Sequence, residues 1–220
     1  MDWRAWHDKY DVADSWMARR LRTVRARIGA VLDEAPAGPL KVISLCAGDG
    51  RDLLPVLSGH PRRHEVRVRL VERDARNTAS ASETARLAKL DQVEVVTGDA
   101  SLVDQYRDMT PADLVLVCGV FGNITDSDIE RTVDACDQLC RTGGTVIWTR
   151  NRAAPDRVPM ICERFSERGF DLTWLSEPDA GFGVGAHRFT GTPRPLCAGT
   201  RLFEFVGYDV LRQRASTSSG

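Results

Sequence analysis

Beyond residue 40, short apolar runs alternate with segments of helical periodicity, and that alternation leaves the chain very few folds. The strand-like runs cover residues 40–46, 66–71, 93–96, 114–118, 145–149, 170–175 and 201–206. Helix-like stretches fall at 51–57, 75–90, 127–140 and 158–168, with residues 101–110 the least periodic of the connections. Ser127-Asp128-Ile129-Glu130 has the form of a capping box, followed by Val133, Cys136 and Cys140 at helical spacing. Strands apolar on both faces, interleaved with helices, predict an α/β fold with a doubly wound, mostly parallel sheet.

An N-terminal helical segment precedes the array. Met17, Leu21, Val24, Ile28, Val31 and Leu32 make one stripe at 100° per residue. Arg19, Arg20, Arg22, Arg25 and Arg27 spread around the remainder and read better as a solvated face than as a nucleic-acid contact. Trp3, Trp6, His7 and Tyr10 form a second stripe, fit either to lie over a pocket as a lid or to pack as a surface helix. The expected organisation is a helical cap over 1–39, a ligand-binding domain over 40–207 and a flexible tail over 208–220.

The chain has 220 residues, 42% of them hydrophobic and 28% charged, with a formal net charge of -1. That is enough for one large domain. It offers no global attraction to nucleic acid or an anionic membrane. No apolar run approaches a membrane span, and MDWRAWHDKYD is too charged for a signal peptide. Cys46, Cys118, Cys136, Cys140, Cys162 and Cys197 include no C-x-x-C pair and mostly sit in apolar runs, which predicts reduced core thiols and a cytoplasmic protein. The four histidines share no ligand spacing, so no metal site is expected.

A doubly wound sheet binds its ligand beyond the carboxyl ends of its strands. Ala47-Gly48-Asp49-Gly50 lies at such an end, where glycine lets main-chain N–H groups approach a ligand, and a helix beginning near Arg51 would add its positive dipole end. The second run is followed by Glu72-Arg73, placing a carboxylate able to accept both hydrogen bonds of a ribose diol. The third is followed by Gly98-Asp99-Ala100, and the fourth runs into Cys118-Gly119-Val120-Phe121-Gly122. Leu53 stands where a dinucleotide fingerprint needs a small residue. Glycine and acid without clustered Lys or Arg suit a nucleoside lacking phosphates.

Taken in order, these features resemble the class I S-adenosylmethionine-dependent methyltransferases over about residues 40–207. Within that family the resemblance is nearer to a group of bacterial methyltransferase-like proteins with an N-terminal W-x-x-W-H segment, and no substrate follows from it. The resemblance implies a Rossmann-like seven-stranded sheet whose last strand is antiparallel, and S-adenosyl-L-methionine as cofactor. It implies that Gly48, Asp49 and Gly50 form the cofactor loop, that Glu72 holds the ribose and that Asp99 and Ala100 lie beside the adenine. The segment from Gly119 to Asn123 would flank the transferred methyl, with Cys118, Gly119 and Phe121 among the cofactor-binding residues. The family usually has an acid at the position of Ser44 and a glycine at that of Cys46. Asp49 or Asp52 is the candidate to replace the missing acid at the methionine ammonium.

Methyl transfer from a sulfonium needs a base only if the acceptor must lose a proton. His187, in a long glycine-rich connection over residues 176–200, is the leading candidate, with His7 and Tyr10 behind it. Trp6, Asn123, Trp148, Arg150 and Arg188 are expected to line the acceptor pocket, and the N/D-P-P-Y/F motif of amino-group methylation is absent. The expected function is methylation of an O or N atom of a small metabolite. An RNA or protein methyltransferase and a non-catalytic binding module remain the alternatives.

Overall fold

The apolar runs pair into one seven-stranded sheet in the order β3-β2-β1-β4-β5-β7-β6. The computed structural model describes residues 15–217. Helix α1 (Trp16–Glu34) leads into β1 (Leu40–Leu45), α2 (Leu54–Gly59), β2 (Val66–Glu72), α3 (Ala75–Leu87) and β3 (Val93–Thr97). There follow β4 (Ala112–Val117), α4 (Asp126–Leu139), β5 (Cys140–Asn151), α5 (Val158–Glu167) and β6 (Phe170–Leu175). The last strand is β7 (Phe182–Phe189), and helix α6 (Tyr208–Thr217) follows it where a flexible tail was expected. Strands β1 to β5 pair in parallel, while β7 runs antiparallel to both of its neighbours.

Each face of the sheet is sealed by its own helices. Ile43, Leu45, Val115, Val117, Val146 and Trp148 pack on one side with Ile129 and Val133 of α4 and Ile161 and Phe165 of α5. Val42, Val68, Leu70, Leu114, Leu116 and Ile147 face the other way, against Val24, Ile28 and Leu32 of α1 and Leu54 and Leu57 of α2. Helix α1 is therefore part of the second core layer. Ser15 caps its start by accepting from the Ala18 amide at 3.0 Å. The Arg62 guanidinium closes its end by donating to the carbonyls of Leu32, Ala35, Pro36 and Gly38. The proposed lid residues Trp3, Trp6, His7 and Tyr10 lie outside the described residues.

The seventh strand is not where the sequence pattern put it. Residues 201–206 contribute only an isolated bridge between Leu102 and Arg201. The strand is instead FGVGAHRF, inside the stretch expected to be a loop. Its glycines suggested turns, but Gly183 and Gly185 lie in the pleat beside large side chains. A Cβ at Gly185 would overlap the Trp148 indole, and one at Gly183 would overlap Val158. Glycine here admits a close neighbour, a role a strand can share with a turn. Two helix starts also differ. Thr125, not Ser127, caps α4 through the Asp128 amide at 3.2 Å. Helix α2 begins at Leu54 rather than near Arg51, although the Leu54 amide already donates to the Gly50 carbonyl at 2.9 Å.

Candidate functional site

A cavity of about 850 Å³ opens at the carboxyl ends of β1 to β5. Its floor is the turn after β1. The Ala47 amide donates to the Val71 carbonyl and the Gly50 amide to the Ala47 carbonyl, folding the chain back on itself. That path needs left-handed backbone at Cys46, Gly48 and Gly50, with φ of 51°, 57° and 74°. Gly50 is also constrained by packing, since a Cβ there would lie 2.6 Å from Leu54 Cδ1. Gly48 instead has open space beside it. Cys46 holds a conformation that costs a non-glycine residue about 1–2 kcal/mol. The turn thus keeps its shape without the glycine the family resemblance leads one to expect there.

The two rim acids are partly used by the protein, and what each has left is informative. Glu72 Oε2 accepts from the Gly48 amide at 2.9 Å and Oε1 from the Asp74 amide at 2.9 Å. A carboxylate offers about four lone-pair directions, so Glu72 retains one on each oxygen, the arrangement two adjacent hydroxyls require. Asp99 Oδ1 accepts from the Ser101 amide and hydroxyl, at 3.0 and 2.7 Å. Its Oδ2 accepts from Arg201 Nη1 at 2.9 Å. Asp99 therefore has a single direction left, fit for one N–H donor. Burial pushes the Asp99 carboxyl up, but the Ser101 hydroxyl and amide and then Arg201 outweigh it and hold the group below its ordinary range.

The turn's aspartates are not equivalent. Asp49 is held in a two-pronged pair with Arg51, at 2.9 to 3.1 Å from Nε and 2.6 Å from Nη2. Asp52 lines the cavity beside Arg20 and Cys118. Burial raises its carboxyl pKa, with Arg20 and Arg25 opposing and Asp49 assisting. The Cys118 thiol is pushed well above its usual range by burial, with smaller contributions from Asp52, which also hydrogen-bonds it. Ser44 is buried within β1 and does not reach the cavity.

Other walls come from α1, through Arg20, Leu21 and Val24, and from the ends of β4 and β5, through Gly119, Asn123 and Thr149. The Gly119 amide donates to Thr149 Oγ1 at 2.8 Å, joining the two strand ends. Arg73 and Ala100 complete the rim beside Glu72 and Asp99.

The last wall was hidden by the misplaced strand. After β7 the chain runs as a strap along α4 from its C-terminal to its N-terminal end. Arg194 pairs with Asp137 at 2.6 Å, the Cys197 amide donates to Gln138, and the Glu204 amide donates to Asp128 at 3.2 Å. The strap then meets Asn123, whose carbonyl accepts from the Val206 and Gly207 amides and whose Oδ1 accepts from the Tyr208 amide. Asn123 Nδ2 donates to the Gly119 carbonyl at 2.8 Å. Asn123 thus ties the strap to the loop after β4. Arg201, Phe203, Glu204 and Phe205 of the strap face the cavity, and none was picked out from sequence. A bulky pair of aromatics in 201–205 read as strand, and no local signal marked it as a wall.

Several expected site residues are elsewhere. Because β7 is antiparallel, Phe182 and Gly183 reach the rim beside Asn151 and Arg150, while His187 and Arg188 pair with Val146 and Thr145 lower in the sheet. His187 is fully buried, its ring stacked 4.5 Å from that of Phe165. The Trp148 indole N–H donates to its Nδ1 at 3.1 Å, placing the ring proton on Nε2, which meets no acceptor among the described residues. Burial pulls its pKa down to about 4. A general base over the rim it is not. Arg188 pairs with Glu34 at 3.2 Å. Trp148 and Phe121 are core residues, and neither they nor Arg150 line the cavity. Strand alternation is the reason at β5: Thr149 faces the cavity, so Trp148 and Arg150 face away.

No family model matches the chain, and no curated protein matches it in sequence. Solved structures do share its fold. An O-methyltransferase family protein from Burkholderia thailandensis is similar at a TM-score of 0.65 and 16% identity, over 86% of this chain and 61% of that one. Magnesium protoporphyrin IX methyltransferase from Synechocystis is similar at 0.65 and 13% identity, over 86% of this chain and 94% of that one. The 1,6-didemethyltoxoflavin N1-methyltransferase of Burkholderia thailandensis, solved with 1,6-didemethyltoxoflavin and S-adenosylhomocysteine, is similar at 0.61 and 20% identity, over 86% and 85% of the two chains. The sheet order, the antiparallel last strand and these likenesses agree: the chain has the fold of the class I S-adenosylmethionine-dependent methyltransferases.

Proposed function

We propose that the protein is an S-adenosylmethionine-dependent methyltransferase that acts on an oxygen or nitrogen atom of a small-molecule acceptor. The observation that carries this reading is the hydrogen-bonding capacity left on the two rim acids. Glu72 has room for two hydroxyl donors and Asp99 for one amino donor. That is the donor set of an adenosine read from its ribose to its base. Structures of this fold solved with S-adenosylhomocysteine support the same choice.

When bound, the cofactor supplies a sulfonium methyl group. The chain's own part is to bind, orient and exclude water. Gly48 lets the backbone approach without side-chain obstruction. Asp52, desolvated and not held in an acid–arginine fork as Asp49 is, takes the place of the family's missing acid toward the methionine ammonium. The end of β4 at Cys118-Gly119 and Thr149 beside it lie between this half and the acceptor half. There Leu21, Val24, Phe203 and Phe205 make an apolar lining, with Arg20 and Glu204 as its charged groups. About 850 Å³ is near the top of the roughly 300–1,000 Å³ typical of small-molecule sites, which suits a cofactor with a modest acceptor. No histidine lines the cavity among the described residues. Proximity therefore leads the mechanism, with Glu204 the carboxylate of the acceptor half available to accept a proton.

Two arginines of α1 are engaged within the fold, which supports a small-molecule acceptor. Arg25 donates to the Arg51 carbonyl at 2.9 Å, and Arg27 lies over the Trp174 ring at 4.7 Å. All six cysteines are free thiols, which supports a cytoplasmic setting. Among the described residues no helix is long and apolar enough to cross a membrane.

Calorimetric titration with S-adenosylmethionine tests the reading. Binding is expected, and Glu72→Gln should weaken it about 10- to 100-fold, as loss of a charged hydrogen-bonding partner predicts. A folded wild-type protein that does not bind the cofactor would sink the enzyme reading. Unchanged affinity in Glu72→Gln would remove Glu72 from the site.

A further inference from the structure

Arg201 stands outside the doubly wound sheet, yet it is built into the cavity wall at the acid that faces the base. Its Nη1 donates to Asp99 Oδ2 at 2.9 Å and to Ser101 Oγ at 2.8 Å. Its main chain is held in the same place, because Leu102 and Arg201 form a bridge, the Val103 amide donates to the Thr200 carbonyl at 3.1 Å and the Leu202 amide to the Ser101 carbonyl at 2.8 Å. Leu202 is fully buried below it. The strap is therefore laced to the loop after β3 on both sides of Arg201 and, farther along the chain, to Asn123 in the loop after β4.

We propose that Arg201 is a positioning residue for purine recognition: by occupying one acceptor direction of Asp99 and fixing its plane, it leaves that carboxylate able to take a single N–H donor, the 6-amino group of an S-adenosyl ligand. This rests on reading the cavity as an S-adenosyl site. Without Arg201, Asp99 is held only through Oδ1 and can turn about that attachment. A 6-amino purine would then lose its aligned acceptor, while a 6-oxo purine, with no donor at that atom, would lose nothing. Selectivity for adenine over its deaminated form thus depends on a residue of the strap as well as on Asp99 beyond the end of β3.

The test compares S-adenosylhomocysteine with S-inosylhomocysteine, in which an oxygen replaces the 6-amino group, by calorimetry on the full chain. Arg201→Met keeps the apolar stem and should weaken S-adenosylhomocysteine by about fivefold, a modest loss because the pair is about half exposed. S-inosylhomocysteine affinity should not change, and Arg201→Lys should recover part of the loss. In an Asp99→Asn background, Arg201→Met should add nothing further. Equal weakening of both ligands, or additive losses with Asp99→Asn, would make Arg201 a mere wall and overturn the proposal, as would unchanged binding in Arg201→Met. A readout without ligand separates this from the cofactor reading: the Asp99 carboxyl, followed by carbon NMR, should titrate at higher pH in Arg201→Met. If wild type binds neither ligand, the cofactor reading fails and the purine-recognition role falls with it, even where that shift shows the Arg201–Asp99 contact in solution. If the shift is absent, the positioning role fails whatever the ligand.

Discussion

The Trp148 indole occupies the space that a side chain at Gly185 would need, directly across the pairing of β5 with β7. Trp148 is fully buried and its N–H is satisfied by His187 from the same strand as Gly185. Gly185→Ala should therefore act as overpacking and lower stability by about 1–3 kcal/mol. Urea denaturation measures it. A variant as stable as wild type would show that the indole can move aside, and that the glycine serves no packing purpose.

His187 should make the protein acid-sensitive. In the unfolded chain its pKa is about 6.5, whereas burial in the folded state brings it to about 4. As pH falls from 6.5 toward 4, the unfolded state takes up a proton that the folded state refuses, so stability falls. At 1.36 kcal/mol per unit the loss from this group is about 3 kcal/mol at most. Above pH 6.5 it contributes no slope. His187→Phe should be less stable at pH 7, because the Trp148 N–H loses its acceptor, yet its stability should change less between pH 6.5 and 4. An equally steep decline in the variant would assign the acid sensitivity to other groups.

Asp52 should show the opposite sign. Burial raises its folded pKa above the unfolded value near 3.9. Between those two values the folded state binds the proton more tightly, so this group's contribution falls as pH rises through the window and stays unfavourable at neutral pH. Asp52→Asn should thus stabilise the protein at pH 7, with the gain disappearing near pH 4, and should weaken S-adenosylmethionine. Thermal melts at the two pH values and a titration at pH 7 check both halves. A destabilised variant with unchanged cofactor affinity would place Asp52 among structural acids.

Arg150 carries a charge whose Nε and Nη1 are buried and meet no acceptor among the described residues. The acids around it, Asp126 and Asp156, are committed to Arg157 at 2.7 Å and Arg152 at 2.7 Å. Unsatisfied buried donors cost about 1–3 kcal/mol, so Arg150→Met should raise the melting temperature. A lower one would mean that the guanidinium stem is needed for packing at the end of β5.

Much of the molecule was legible in the chain because its determinants are local. Apolar runs on both faces, helical periodicity between them and polar punctuation at their ends suffice to specify a doubly wound sheet, and six of the seven strands fell close to their observed positions. Glu72 and Asp99 could be found by counting, since in this topology an acid directly after a strand has to emerge at the carboxyl rim. The tertiary structure alone decided the rest, because it depends on neighbours distant in sequence. FGVGAHRF is a strand only because Trp148 and Val158 fill the room its glycines leave. His187 is a core residue only because an antiparallel β7 carries it down the sheet and against Phe165. Arg201, Phe203 and Phe205 reach the cavity only because Asp128, Ser101 and Asn123 hold the strap along α4 and up to the rim. Local periodicity shows which residues share a face of one element; which cavity that face closes depends on long-range pairing that no short stretch of the chain contains.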